Sequence, residues 1–192
     1  MQASVVIEAE VKARVTDPES LRSRLASRAA GEPSVYRDTY YDAPDGSLSV
    51  GGRELRLRVR ESADRVRCVL TYKGAAVDER TGSKPEVEVD VGDAGAADSI
   101  LLALGFRHLV SFEKRCVNYA FRASGRDLLA TVVAVPELDG TFLEVETMAD
   151  EEELGAALAV VRSVVAELGV ADADLTTELY TDAVLSRRGQ ER

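Results

Sequence analysis

Apolar and charged residues alternate from the first strand onward. In residues 7–15, Ile7, Ala9, Val11, Ala13 and Val15 fall on one parity, and Glu8, Glu10, Lys12 and Arg14 on the other. A two-residue period is the mark of a strand with unlike faces. The same period predicts strands at about 4–15, 35–42, 53–61, 65–73, 85–91, 109–123, 127–135 and 141–147. Helical signals fall between them. Asp17-Pro18-Glu19 opens a helix carrying Leu21 and Leu25, which stops at Gly31. A second helix is predicted from Asp93 to Leu104, with Gly105 as its stop. Acids from Asp150 to Glu153 suit the positive end of a third, whose Leu154, Leu158, Val161, Val165 and Leu168 keep helical spacing up to Gly169. A last short helix is predicted from Thr176 to Leu185, with Tyr180 and Val184 on one side. Strands in runs joined by short turns give an α+β class with a mainly antiparallel sheet, and about eight strands suffice to close a barrel.

The charged parity is what distinguishes this sheet. Glu54, Arg56, Arg58 and Arg60 share a side, as do Arg65, Arg67, Thr71 and Lys73; Glu86, Glu88 and Asp90; Lys114 and Arg122; and Phe142, Glu144 and Glu146. An open sheet with its ions in water is one architecture that fits. The other is a closed barrel with the ions inside and amphipathic helices on the apolar exterior. The positions are mostly Arg and Glu rather than the Thr, Ser, Gln and Lys of a solvent face, which favours the closed form. A lumen of this kind needs ion pairs, water, metal ions or a polyanion to offset the cost of buried charge. Carboxylates of the E-x-E type suit a hard divalent cation, and arginine suits bidentate contact with phosphate. The expected architecture is therefore an eight-stranded, mainly antiparallel closed barrel with flanking helices around a wet tunnel for a polyphosphate and its metal ions.

Composition narrows the classes. The 192 residues fit a single domain, taken as 1–186, with a polar tail at 187–192. A net charge of −10 argues against a broad nucleic-acid surface, yet Arg53, Arg56, Arg58, Arg60, Arg65 and Arg67 are crowded into one hairpin. Cys68 and Cys116 form no C-x-x-C, so a disulfide framework or zinc site is not expected. With no leader pattern and no apolar run near ~20 residues, the expected location is cytoplasmic and off the membrane. His108, just beyond a helix, is expected to be structural.

An ordered set of short motifs resembles the CYTH superfamily, the triphosphate tunnel metalloenzymes. Glu8-Ala9-Glu10-Val11-Lys12 resembles E-x-E-x-K, Asp38-Thr39-Tyr40-Tyr41-Asp42 resembles D-x-Y-Y-D, and Leu55-Arg56-Leu57-Arg58 resembles L-R-x-R. Thr71-Tyr72-Lys73-Gly74, Lys84-Pro85-Glu86-Val87-Glu88, Lys114-Arg115 and Gly140-Thr141-Phe142-Leu143-Glu144-Val145-Glu146 follow in the family's order. The resemblance implies that Glu8, Glu10, Glu144 and Glu146 serve Mg²⁺ or Mn²⁺. It implies that Lys12, Arg56, Arg58, Lys73, Lys114 and Arg115 grip the triphosphate, with Lys12, Arg58 and Lys73 closest to catalysis, and that Glu86 and Glu88 complete an acidic wall. Two positions depart from the family's pattern. An acid usual in an L-D-x-V context is missing near Leu129-Ala130-Thr131-Val132, leaving Glu137 or Asp139 as substitutes, and the basic strand, usually K-x-R, has Cys116 in the third place.

The implied activity is a class IV-type adenylyl cyclase, converting ATP to cyclic AMP and pyrophosphate, since the short single domain and the spacing of its second and third strands resemble that branch. The alternatives are a triphosphatase acting on inorganic, thiamine or nucleoside triphosphate, and a non-catalytic polyphosphate- or nucleotide-binding module. A small-molecule triphosphate is the expected partner, with no nucleic acid or membrane, and a homodimer is compatible.

Overall fold

The computed structural model describes residues 6–190. Eight strands close into a barrel in the order β1-β5-β4-β3-β2-β6-β7-β8, every neighbouring pair antiparallel. They are β1 (Ile7–Val15), β2 (Glu32–Asp42), β3 (Glu54–Ser62), β4 (Val66–Lys73), β5 (Lys84–Val91), β6 (Arg107–Ala123), β7 (Arg126–Ala134) and β8 (Thr141–Ala149). The helices are α1 (Pro18–Ala26), α2 (Ser47–Val50), α3 (Ala94–Ala103), α4 (Leu154–Glu167) and α5 (Tyr180–Gln190).

Helices cover the apolar outer face. Val161, Val164 and Val165 of α4 and Leu168 at its C-terminal cap, with Leu21 and Leu25 of α1, pack on Val11, Ala130, Val132, Leu143 and Val145. Ala97 and Leu101 of α3 pack on Leu55, Leu57 and the neighbouring Cys68 and Leu70. Each large side chain buried here contributes roughly 1.5–3 kcal/mol, which explains why the apolar parity turns outward. The opposite parity lines the lumen, so the closed-barrel expectation holds and the open sheet does not.

The lumen is not charged throughout. Tyr36, Tyr40, Phe112, Cys116, Val133 and Phe142 form an aromatic and aliphatic cluster with Tyr180 and Val184 of α5. α5 thus inserts its apolar side against the barrel interior.

The seam between β1 and β5 is the barrel's shortest, pairing only Ile7 with Pro85 and Glu8 with Lys84. Past it, the free edge of β1 finds other partners. Glu10 N donates to Ser83 Oγ (3.2 Å), Thr176 N donates to Lys12 O (2.9 Å), and Ala13 bridges Leu175. These contacts displace the last helix from its expected place. Residues 175 and 176 lie along β1, and α5 begins at Tyr180 rather than Thr176. It also continues to Gln190, held by Arg188 on Glu137 and on Ser111 O (2.8 Å), so the polar tail expected from 187 is helical through 190; 191–192 lie outside the described residues. The acids at 150–153 precede α4 rather than open it, with Glu153 at its cap. The turn at 43–46 leads into the unexpected α2, which Asp42 pins by accepting from Leu48 N (3.0 Å) and Ser49 Oγ. The first strand begins at Ile7; the part of its expected span before Val6 lies outside the described residues.

Candidate active site

Register builds the acidic side of the tunnel. Pairing β1 with β8 sets Glu10 opposite Glu146 and Lys12 opposite Glu144, with Glu8 one inward position further along. Ligand oxygens of Glu8, Glu10 and Glu146 lie within 4.8 Å of one another. Burial and the neighbouring carboxylates Glu8 and Glu144 push Glu10 up to about 7, and burial with Glu8 and Glu10 drives Glu146 well above the usual range. Burial alone would raise Glu8 as well, but the ammonium of Lys73 holds it below its ordinary value. Three crowded carboxylates whose charge is only partly matched, all hard oxygen donors, fit a Mg²⁺- or Mn²⁺-sized cation. Glu144 stands apart electrostatically. Its burial is outweighed by Lys114 (3.5 Å) and Lys12, which hold it at about 2.

Basic residues occupy the rest of the wall. Pairing β3 with β2 sets Arg58 opposite Asp38, and the two form a bidentate pair with both contacts at 2.7 Å. Asp38 is fully buried and sits at about 2 because Arg58 overrides its desolvation. Arg58 also lies 4.5 Å over the Tyr36 ring. Arg56 donates to Thr71 Oγ1 (3.1 Å) and lies 3.6 Å from Glu88, while its buried Nε has no partner. Lys73 sits between Glu8 and Glu86, the latter at 2.9 Å. Lys12 donates to Glu178 O, and Lys12 and Lys114 lie 4.6 and 4.2 Å from the centre of the Tyr180 ring. Burial lowers the Lys12 ammonium below its ordinary value. The enclosed cavity measures about 250 Å³.

All but one of the residues expected at the site line this cavity: Glu8, Glu10, Lys12, Arg56, Arg58, Lys73, Glu86, Glu88, Lys114, Glu144 and Glu146. The exception is Arg115. It is 70% exposed and pairs with Glu113 on the outside, because consecutive residues of a strand face opposite sides. Neither proposed substitute for the missing acid reaches the lumen. Glu137 is bound to Arg188, Asp139 is almost fully exposed near Arg187, and the β7 residues that line the cavity are Leu129 and Thr131. Two contributors were given no role in the tunnel from the sequence. Asp38, which fixes Arg58, carried a signal in its parity with Tyr36 and Tyr40. Tyr180 carried none, since it arrives from the far end of the chain.

The profile of the CYTH domain matches residues 6–180. The chain belongs to the CYTH family. Adenylate cyclase CyaB of Aeromonas hydrophila is 27% identical over 180 residues, covering 90% of this chain and 86% of the relative. Among solved structures, the PH1819 protein of Pyrococcus horikoshii superposes with a TM-score of 0.81 at 23% identity, covering 94% of this chain and 99% of that one. HpAC1 from Hippeastrum, for which a dominant triphosphatase activity is described, superposes at 0.64 with 17% identity, covering 94% and 95%. Adenylate cyclases and triphosphatases both occur among CYTH proteins. No helix among the described residues is long and apolar enough to cross a membrane.

Proposed function

We propose that the tunnel is the active site of a metal-dependent enzyme that takes a linear triphosphate, and that its reaction is the cyclisation of ATP to cyclic AMP and pyrophosphate. The observation that carries the first half is the division of one enclosed wall into a carboxylate cluster at Glu8, Glu10 and Glu146 and a cationic stretch through Arg56, Arg58 and Lys114. An extended chain of phosphates with its cation is the ligand that matches both halves.

Glu8, Glu10 and Glu146 would hold the cation, which when bound supplies Lewis-acid neutralisation of phosphate charge. Arg58, fixed by Asp38, presents its guanidinium without rearranging, and such preorganised charge is worth most where negative charge develops. Arg56 Nε would find in a phosphate oxygen the acceptor it lacks. Lys12 and Lys114, both against the Tyr180 ring, would neutralise the far end of the chain. In the cyclase reaction the ribose 3′-hydroxyl gives its proton to water and its oxygen bonds to the α-phosphorus as the bond from that phosphorus to the leaving pyrophosphate breaks. No protein nucleophile takes part.

The cyclase reading draws on the similarity to CyaB. A triphosphatase reading is favoured by a different observation: the lining is mostly ionised, so the phosphates have many partners and a nucleobase few. In that reaction water attacks the terminal phosphorus. Product identification separates the two. ATP, inorganic triphosphate and thiamine triphosphate are each incubated with Mg²⁺ or Mn²⁺. Cyclic AMP with pyrophosphate is the result expected. Orthophosphate without cyclic AMP assigns the triphosphatase, and binding without turnover removes catalysis altogether.

A further inference from the structure

A second cavity of about 250 Å³ lies at the β1–β5 seam, where β1 leaves its partner strand. It is enclosed by the 79–81 loop, by Arg162 of α4 and by Leu175, Thr176 and Thr177. Lys12 is the one described residue shared with the tunnel lining. Most arginines of this acidic chain are engaged in ion pairs. The guanidiniums of Arg80 and Arg162 are not: neither has a hydrogen bond or ion pair among the described residues. Glu79 is the single acid of the lining, so the two guanidiniums leave the pocket net positive within a protein of charge −10. Thr177 adds a hydroxyl, while that of Thr81 is engaged within its own loop. Thr81 is buried and kept in place by Asp78 (3.1 Å) and Ser83 (2.8 Å).

We propose that this seam pocket binds a small free oxyanion of the inorganic phosphate class, clasped between Arg80 and Arg162. Two guanidinium forks beside the Thr177 hydroxyl match a multiply charged oxyanion better than a monovalent one. The lining offers no aromatic side chain on which a nucleobase could stack, which suits orthophosphate or pyrophosphate rather than a nucleotide. The pocket is separate from the tunnel and does not depend on which reaction the tunnel performs. It does share β1: Thr176 N is bonded to Lys12 O, and the Lys12 side chain lies in the tunnel.

The test is a titration of the isotopically labelled full chain in EDTA with sodium phosphate, against sodium chloride at equal ionic strength. The Arg80 and Arg162 Nε–H signals and the Thr81 and Thr177 amides are expected to shift together along one saturating curve in phosphate and not in chloride. Arg80→Ala with Arg162→Ala is expected to weaken that response at Thr81 and Thr177 tenfold or more, while Arg58 Nε in the tunnel keeps its own. Should the double variant fail to fold, exposed Arg80→Ala alone gives the same comparison. Seam signals that stay still while tunnel signals move would overturn the proposal. So would equal shifts in chloride, or movement with ATP but not with phosphate, which would assign the pocket to a bound nucleotide.

Discussion

Arg58 is useful to the site because it cannot relax. Asp38 accepts both of its guanidinium contacts at 2.7 Å from a fully buried position. Asp38→Asn leaves the charge with half a partner. Breaking a buried pair typically costs 3–5 kcal/mol, and a loss of about 3 kcal/mol is expected in denaturant unfolding, together with a raised KM for the triphosphate. Arg58→Ala is expected to raise that KM about tenfold or more, as loss of a charged phosphate contact should, whereas Arg115→Ala leaves steady-state kinetics unchanged. Equal effects of the two would mean that Arg58 does not meet substrate. Arg115 also shows where reading by motif and reading by parity part company. The resemblance took Lys114 and Arg115 as a basic pair, but β6 alternates, and Lys114 shares its inward side with Phe112 and Cys116. Glu8, Glu10, Arg56 and Arg58 were legible because motif and parity agreed on them. That Glu8, Glu10 and Glu146 would crowd together while Glu144 is drawn to Lys114 was not legible, because it depends on cross-strand register.

The starts of α1 and α3, which are written locally, fell where expected, whereas α1 ends at Ala26 and not at Gly31. Asp17 caps α1 by accepting from Ser20 N (3.0 Å), and Asp93 caps α3 by accepting from Ala96 N (2.9 Å). α5 shows the opposite behaviour. Its N-terminal boundary is set by a long-range event, the pairing of 175–176 with the edge that β1 exposes beyond the short seam, and no local signal reports that. What α5 contributes to the barrel follows from its buried side. Val184 has no exposed surface and packs in the cluster with Phe142 and Tyr180, while its neighbour Leu185 is 39% exposed. Val184→Ala removes two methyl groups from a filled space, and with the resulting cavity should cost about 2 kcal/mol. Leu185→Ala should cost about 0.5 kcal/mol or less, as surface substitutions do. Chemical denaturation of the two variants measures the difference. Similar losses would show that the inward side of α5 is not what anchors it.

For the molecule as a whole, the tunnel makes stability a function of both pH and cation. Glu10 titrates at about 7 and Glu146 is held well above its ordinary value, so between about 4.5 and 7 the folded chain holds protons that the unfolded chain has released. Stability must then fall as pH rises through that window. Glu86, also raised by burial, acts in the same sense. Asp38 and Glu144, both at about 2, act oppositely at lower pH: their contribution is complete above the unfolded carboxylate range and is lost as pH falls toward 2. Metal-free protein is therefore expected to be most stable near pH 4–5 and to lose melting temperature toward pH 8. A divalent cation reverses the high-pH loss, because it binds the ionised carboxylates only. At one hundred times its Kd it adds about 2.7 kcal/mol, roughly 5–11 °C for a chain of this length. That gain should appear at pH 8 and nearly vanish at pH 4.5. Glu10→Gln removes one of the competing charges, so the metal-free variant should melt higher than the parent at pH 8. It should also lose most of the cation-induced rise and the metal-dependent turnover. Differential scanning calorimetry of both proteins, with EDTA and with Mn²⁺, supplies the comparison. A cation response of equal size at the two pH values, or one untouched by Glu10→Gln, would place the cation away from the β1–β8 carboxylates.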